Sequence, residues 1–197
     1  MGILKVIGPK DNYRGEYIDT TSKAAGWSKE LSPFYLGPVE LYNGYKSNNV
    51  ENAWQFAKVY SIHADENGNA TQNYYDWAIN GWNSVRAIRY PMGKGAIPLY
   101  TLWGDKKYGY IDARKHVYVP LYAKAVIKTQ AFQHIKHMYE SGQSVVLWDY
   151  DGYSHDSLGM DIDEVLNCER KKMGHSFVIY MLLTGKVIVQ GNTVYYT

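Results

Sequence analysis

Cysteine is nearly missing from this chain: Cys168 is the only one in 197 residues. No intrachain disulfide can form and no cysteine-based zinc site can be assembled, so a disulfide-stapled secreted scaffold is excluded. Excess charge of either sign is also lacking. Twenty-one Lys and Arg face 19 Asp and Glu, a net charge of +2, too small for electrostatics alone to argue for a nucleic-acid partner. No apolar run approaches the roughly 20 residues of a membrane helix. The longest, Phe177 to Leu183, is interrupted by Tyr180. Residues 1–10 carry a short apolar patch (Ile3, Leu4, Val6, Ile7) without the apolar length of a signal peptide. The expectation is a cytoplasmic protein with no membrane partner. Internal repeats, low-complexity tracts and a linker are absent too. Residues 1–197 are therefore expected to form one domain with a sizeable core.

Phenylalanine is scarce and its polar relatives are not: 4 Phe stand beside 20 Tyr and 6 Trp. Tyr and Trp bury a ring while offering a polar edge. Such residues suit half-exposed packing, and equally the faces and edges of sugars and bases.

Turn and cap signals divide the chain. Leu4 to Ile7 reads as a short strand, and Tyr13 to Leu31 as loop with a short element. Val39 to Tyr45 alternates and ends in Asn43-Gly44, a hairpin signal. Asn48 or Asn49 caps a helix expected from Val50 to His63, with Glu51 in its first turn. Thr71 starts a second helix to about Asn80. Residues 81–109 read as irregular, broken by Pro91, Gly93, Gly95 and Pro98. A long helical region is expected from Ile111 to Tyr139, interrupted near Pro120 and closed by Ser141-Gly142. Ser144 to Trp148 reads as a buried strand leading into the acidic loop Asp149-Tyr150-Asp151-Gly152. Asp161 to Met173 and His175 to Leu183 read as helices, and a hairpin around Gly191-Asn192 closes the chain. The class this implies is α+β: one helix-rich domain with a few short strands.

The first long helix carries the most informative pattern. Glu51, Gln55 and Lys58 stand at i, i+4 and i+7 on one face, while Ala53, Phe56, Ala57 and Tyr60 face the other way. A solvated face would look like this. The apolar shoulders Trp54 and Val59 narrow the polar band, as in the wall of a cleft. A carboxylate, an amide and an ammonium on such a wall can transfer protons, hydrogen-bond a base or ribose, and neutralise an anion.

The segment Glu51-Asn52-Ala53-Trp54-Gln55-Phe56-Ala57-Lys58 resembles the signature of the NADAR family of N-glycosidases. Leu31-Ser32-Pro33-Phe34-Tyr35 and Gly44-Tyr45-Lys46-Ser47 are similar to the segments that precede it in that family. Residues 132–151 and Gly174-His175 are similar to its late helix, strand, acidic loop and closing turn, so the resemblance spans residues 31–183. Asn52 stands where the family carries His beside the Glu. The resemblance implies hydrolysis of the bond between ribose or ADP-ribose and a nucleobase, free or in nucleic acid, without metal or organic cofactor. It implies Glu51 as the carboxylate that stabilises the charged sugar or activates water. Lys58 would neutralise phosphate or assist the leaving base, and Asp149 or Asp151 would be the second carboxylate. Asn52, Trp54, Gln55, Phe34, His155 and His175 would contact the substrate. A base-modifying transferase and a non-catalytic nucleotide-binding protein are the alternatives.

The remaining motifs carry less. His134 and His137 share a helix face but have no cysteine or nearby acid to complete a metal site. The acids from Asp149 to Asp163 do not match calcium-loop spacing, and Gly93-Lys94-Gly95 lacks a full phosphate loop. Cys168 is expected to lie buried in a helix.

Overall fold

The computed structural model describes residues 2–197. In chain order the elements begin with strands β1 (Leu4–Ile7) and β2 (Ile18–Asp19) and a 3-10 turn, Trp27–Leu31. Next come β3 (Val39–Glu40), β4 (Lys46–Ser47), helix α1 (Val50–Gln55), β5 (Lys58–Val59) and α2 (Gln72–Asn83). They are followed by β6 (Tyr100–Trp103), β7 (Lys106–Tyr108), α3 (Tyr110–Ala113) and a π turn, Arg114–Tyr118. The last part holds α4 (Val119–Val126), α5 (Gln130–Glu140), β8 (Val145–Trp148), α6 (Ile162–Asn167), α7 (His175–Leu183), β9 (Val187–Gln190) and β10 (Thr193–Tyr196). The mixture of helices and short strands is α+β. Among the described residues, no helix is long and apolar enough to cross a membrane.

The chain divides into two compact units. One combines the residues up to Ser32 with Val119–Thr197; the other is the intervening Pro33–Tyr118.

The first unit is built on a three-stranded parallel sheet of order β1-β8-β2. Its central strand, Val-Val-Leu-Trp, is apolar because both of its neighbours and the packing helices hide it. Helix α7 is apolar on nearly all sides, as a core helix should be, and packs on β1, α4, α5 and β9. Tyr122 lies fully buried on α4, its hydroxyl donating to the Leu31 carbonyl at 2.6 Å. Burial pushes that phenol well above its ordinary range, with the Asp149 carboxylate adding to the effect. No local pattern announces this sheet, because Ile18–Asp19 meets Leu147–Trp148 across some 130 residues of sequence.

The second unit surrounds an aromatic core of Phe56, Val59, Tyr74, Ala78, Trp82 and Leu102. Asn43 (φ 49°) and Gly44 (φ 78°) make the expected tight turn between β3 and β4. Residues 81–109 are less irregular than expected, since β6 and β7 form a hairpin and β6 pairs with β5. Its loop is Gly104-Asp105, with Gly104 at φ 64°. This is a two-residue turn between aromatic runs that the sequence does announce.

Three helix boundaries also differ from expectation. Helix α1 stops at Gln55, because Lys58 and Val59 leave it to pair with Thr101 and Tyr100. The long helical region departs from regular helix just ahead of Pro120, in the π turn Arg114–Tyr118, as suits a proline that cannot donate to the preceding turn. It breaks a second time at Thr129, whose hydroxyl oxygen accepts from the Phe132 amide and opens α5. Helix α6 ends at Asn167, since the charged run Glu169 to Lys172 offers no apolar face to continue it. Cys168 is therefore a half-buried cap residue rather than a mid-helix one.

Candidate functional site

Asn49 is the N-cap of α1, its side chain accepting from the Asn52 amide at 2.8 Å. The next amides are taken by the preceding segment: Val50 donates to the Leu36 carbonyl and Glu51 to that of Pro33. Those contacts bring the half-buried Phe34 beside the first turn of α1. Glu51 is thereby held in a turn whose partial positive charge suits a carboxylate, and it is only 7% exposed. The Gln55 amide donates to Glu51 Oε1 at 3.0 Å, and Gln55 Oε1 accepts from Lys58 Nζ at 3.0 Å. These two bonds fix which end of the amide is which. Lys58 Nζ lies 5.0 Å from the Trp54 ring, and that ring lies 5.1 Å from Tyr118. The expected stripe is thus one hydrogen-bonded set, although Lys58 reaches it from a strand and not from a third helical turn. Tyr118 touches this set through the Trp54 ring, a neighbour that no local pattern announces. Ala53, Phe56, Ala57 and Tyr60 are all buried on the opposite side.

Asn52 does not join this set. Its amide nitrogen donates to the carbonyls of Arg86 (2.8 Å) and Ser84 (3.3 Å), and its oxygen accepts from the Ile88 amide at 2.8 Å. Fully buried, it clamps residues 84–88 to α1 and presents no surface to a substrate.

The other candidates lie in the first unit. Gly8, Thr20 and Asp149 follow the carboxyl ends of its three parallel strands, the position where open sheets most often build ligand sites. Here that position is filled by protein. Asp149, 4% exposed, accepts from the Ser176 amide at 3.2 Å and pairs with His175 Nδ1 at 3.2 Å through Oδ2. Its Oδ1 accepts from the Asp151 amide at 3.3 Å. His175 Nε2 lies 2.8 Å from both the carbonyl and the hydroxyl of Thr20, and Ser176 Oγ lies 2.8 Å from that hydroxyl.

An acid, an imidazole and a hydroxyl in series resemble a nucleophilic triad. Burial argues otherwise. Nδ1 faces the Asp149 carboxylate and Nε2 faces Thr20, so the ring bridges the two whichever nitrogen carries the hydrogen. The Thr20 hydroxyl donates to the Trp148 carbonyl at 3.0 Å. Thr20 and Ser176 are fully buried, so neither hydroxyl meets a substrate. The network braces the ends of β2 and β8 against the start of α7. Asp149, expected as a second carboxylate, and His175, expected as a substrate contact, are here bonded within the protein. Asp151 is half-buried beside the brace. His155 is buried with its edge toward Phe177 and Tyr180, and its Nδ1 has no hydrogen-bond partner among the described residues. Burial holds that imidazole below its ordinary pKa, with Asp156 opposing and Lys5 reinforcing the effect.

A family model described as a family of unknown function (DUF6939) matches residues 10–159, most of the chain. The chain belongs to the DUF6939 family. No curated protein and no solved structure matches it. The DUF6939 match contains the whole Glu51, Gln55 and Lys58 set. It contains Thr20 and Asp149 of the brace but stops before His175 and Ser176. Among the described residues, no group of three or more His, Cys, Asp or Glu side chains could hold a metal ion.

Proposed function

We propose that this DUF6939 chain hydrolyses an N-glycosidic bond between ribose or ADP-ribose and a nucleobase, with Glu51 as the catalytic carboxylate. The observation that carries the reading is the state of Glu51: a carboxylate 7% exposed, hydrogen-bonded through Gln55 to the set that holds Lys58. A solvated helix face would leave it in water. Burial of a carboxylate is costly unless partners compensate it, so an ordered carboxylate, amide and ammonium favour chemistry over solubility. The resemblance of residues 51–58 to the NADAR signature supports the same reading.

In the proposed reaction the bond from the sugar's anomeric carbon to the base nitrogen breaks, and both electrons leave with the base. Glu51 stabilises the positive charge on the sugar and takes a proton from the attacking water. Lys58 supplies a proton to the departing base or pairs with a phosphate. Gln55 fixes the geometry of both, and the Trp54 and Tyr118 rings give a flat apolar edge for the base.

A second reading, binding without turnover, has one observation in its favour: Asn52, at the position where NADAR proteins carry His, is spent on the backbone of residues 84–88. One experiment separates the two. ADP-ribosylated guanine, as nucleotide and in DNA, is incubated with the wild type, Glu51→Gln and Asp149→Asn. Release of ADP-ribose by the wild type, lost about 100-fold or more in Glu51→Gln, is the expected outcome. Binding without release by a folded wild type moves the assignment to the second reading. Unchanged release by Glu51→Gln removes Glu51 from the chemistry.

A further inference from the structure

The second unit contains an open cleft of about 580 Å³ that the Glu51 chemistry does not use. One wall is a single face of α2: Trp77, Asn80 and Gly81 at i, i+3 and i+4, continued by Ser84. The floor is the Phe56 ring. It can lie there only because residue 81 is glycine, since a Cβ at Gly81 would meet that ring at 2.2 Å. The opposite wall is Val85, Ile88 and Pro91.

The lining and its surroundings are chemically specific. Trp77 is packed on Phe56 (4.6 Å between ring centroids) and on His63 (4.7 Å), so the aromatic floor is fixed before anything binds. A preorganised platform costs little ordering on association. Asn80 and Asn83 stand exposed along the mouth, and each amide offers a donor pair and an acceptor. Between Asp76 and Asp105 the chain has no acidic residue, yet it carries Arg86, Arg89 and Lys94. Arg86 and Lys94 are exposed and adjoin the far wall in sequence. An apolar slot with amides at its mouth, Asp76 one turn from Asn80 on the near wall and two exposed cations following the far wall fits a flat heterocycle whose phosphate lies on the far side.

We infer that this cleft binds a nucleotide, the base seated over Phe56 and Trp77 and read by Asn80 and Asn83, the phosphate paired with Arg86 and Lys94. A free nucleotide and a nucleotide within a single strand present the same base and phosphate. The inference goes beyond the Glu51 reading and does not depend on it.

The test is equilibrium binding by the full chain of AMP, by calorimetry, and of short labelled oligoadenylate and oligothymidylate, by anisotropy. The variants are Arg86→Glu with Lys94→Glu, Asn80→Ala, and, as a charge-reversal control in the other unit, Lys10→Glu. All change exposed side chains, so folding should survive. Binding should weaken about tenfold or more in the doubly charge-reversed variant, fall less steeply with added salt, and lose base preference in Asn80→Ala. Lys10→Glu should bind like the wild type. AMP binding alone identifies the free nucleotide as the source, and oligonucleotide binding alone identifies the strand. The inference is overturned if neither probe binds, or if binding is unchanged in the cleft variants. Binding to phosphatidylserine vesicles without nucleotide binding also overturns it, in favour of a membrane surface.

Discussion

A methyl group on Gly174 would meet Asp149 Oδ2 at 2.1 Å, closer than any real Cβ contact. Gly174 has an ordinary helix-entry backbone (φ −76°, ψ 166°), so conformational freedom is not why it is glycine. Close approach is, since Asp149 must reach the Ser176 amide past it. Gly174→Ala should therefore cost about 1–3 kcal/mol of stability by urea denaturation. The loss should be less than additive with that of Asp149→Ala, because both break one brace. Additive losses would mean the two residues act separately. Asn52 supports a parallel argument. Its three hydrogen bonds to the backbone of residues 84–88 are buried or partly so. Asn52→Ala strands a donor and acceptors that water reaches poorly, so a loss of about 1–3 kcal/mol is expected. Hydrogen exchange should show faster opening at Ile88 than elsewhere in that segment. An unchanged Ile88 rate would show that the clamp does not hold the segment.

Helices α1 and α2 meet where the Phe56 ring presses on the backbone at Gly81. Gly81→Ala gains helix propensity, about 1 kcal/mol in an exposed helix. The Cβ at 2.2 Å from a ring fixed among Trp77, Tyr74 and Gly81 should outweigh that gain. Net destabilisation by about 1–3 kcal/mol is expected, relieved in part by Phe56→Leu in the same chain. A stabilised single variant would show that the ring yields easily. How far such elements were legible depended on distance in sequence. The cap at Asn49, the turn at Asn43-Gly44, the strand Val145–Trp148 and the polar set on residues 51–58 are all written in local chemistry. The truncation of α1 was not. Residues 50–60 have an unbroken helical pattern, and only pairing with Tyr100–Thr101 draws Lys58 out of the helix. The brace was illegible for the same reason. Nothing near Thr20 announces that its hydroxyl will meet His175, 155 positions away. Proximity of Asp149 and Asp151 to a strand end was readable. That the carboxylate of Asp149 is consumed internally was not.

At the scale of the whole molecule, acid sensitivity is divided between the two units. His63 belongs to Pro33–Tyr118 and His155 to the unit that contains Val119–Thr197. Both imidazoles are buried, each has an Nδ1 without a hydrogen-bond partner among the described residues, and desolvation holds both below their ordinary pKa. The unfolded chain then binds more protons than the native one over the window between the depressed native value and the ordinary value of about 6.5. Stability from this source is fully present above about pH 6.5 and is lost as pH falls through that window. The urea midpoint should therefore be lower near pH 5.5 than near pH 7.5, in the direction set by burial of neutral histidine. His155→Phe replaces the ring against Phe177 and Tyr180 with one that cannot titrate, and it should remove part of the pH dependence. His63→Phe should remove another part, and the double variant should have the flattest profile. If the units unfold together, each substitution flattens the single transition. If they unfold separately, His155→Phe alters the transition of its own unit and leaves that of Pro33–Tyr118 unchanged. Equal pH slopes in the wild type and the double variant would mean the acid sensitivity comes from the carboxylates, and the buried histidines would then have no part in it.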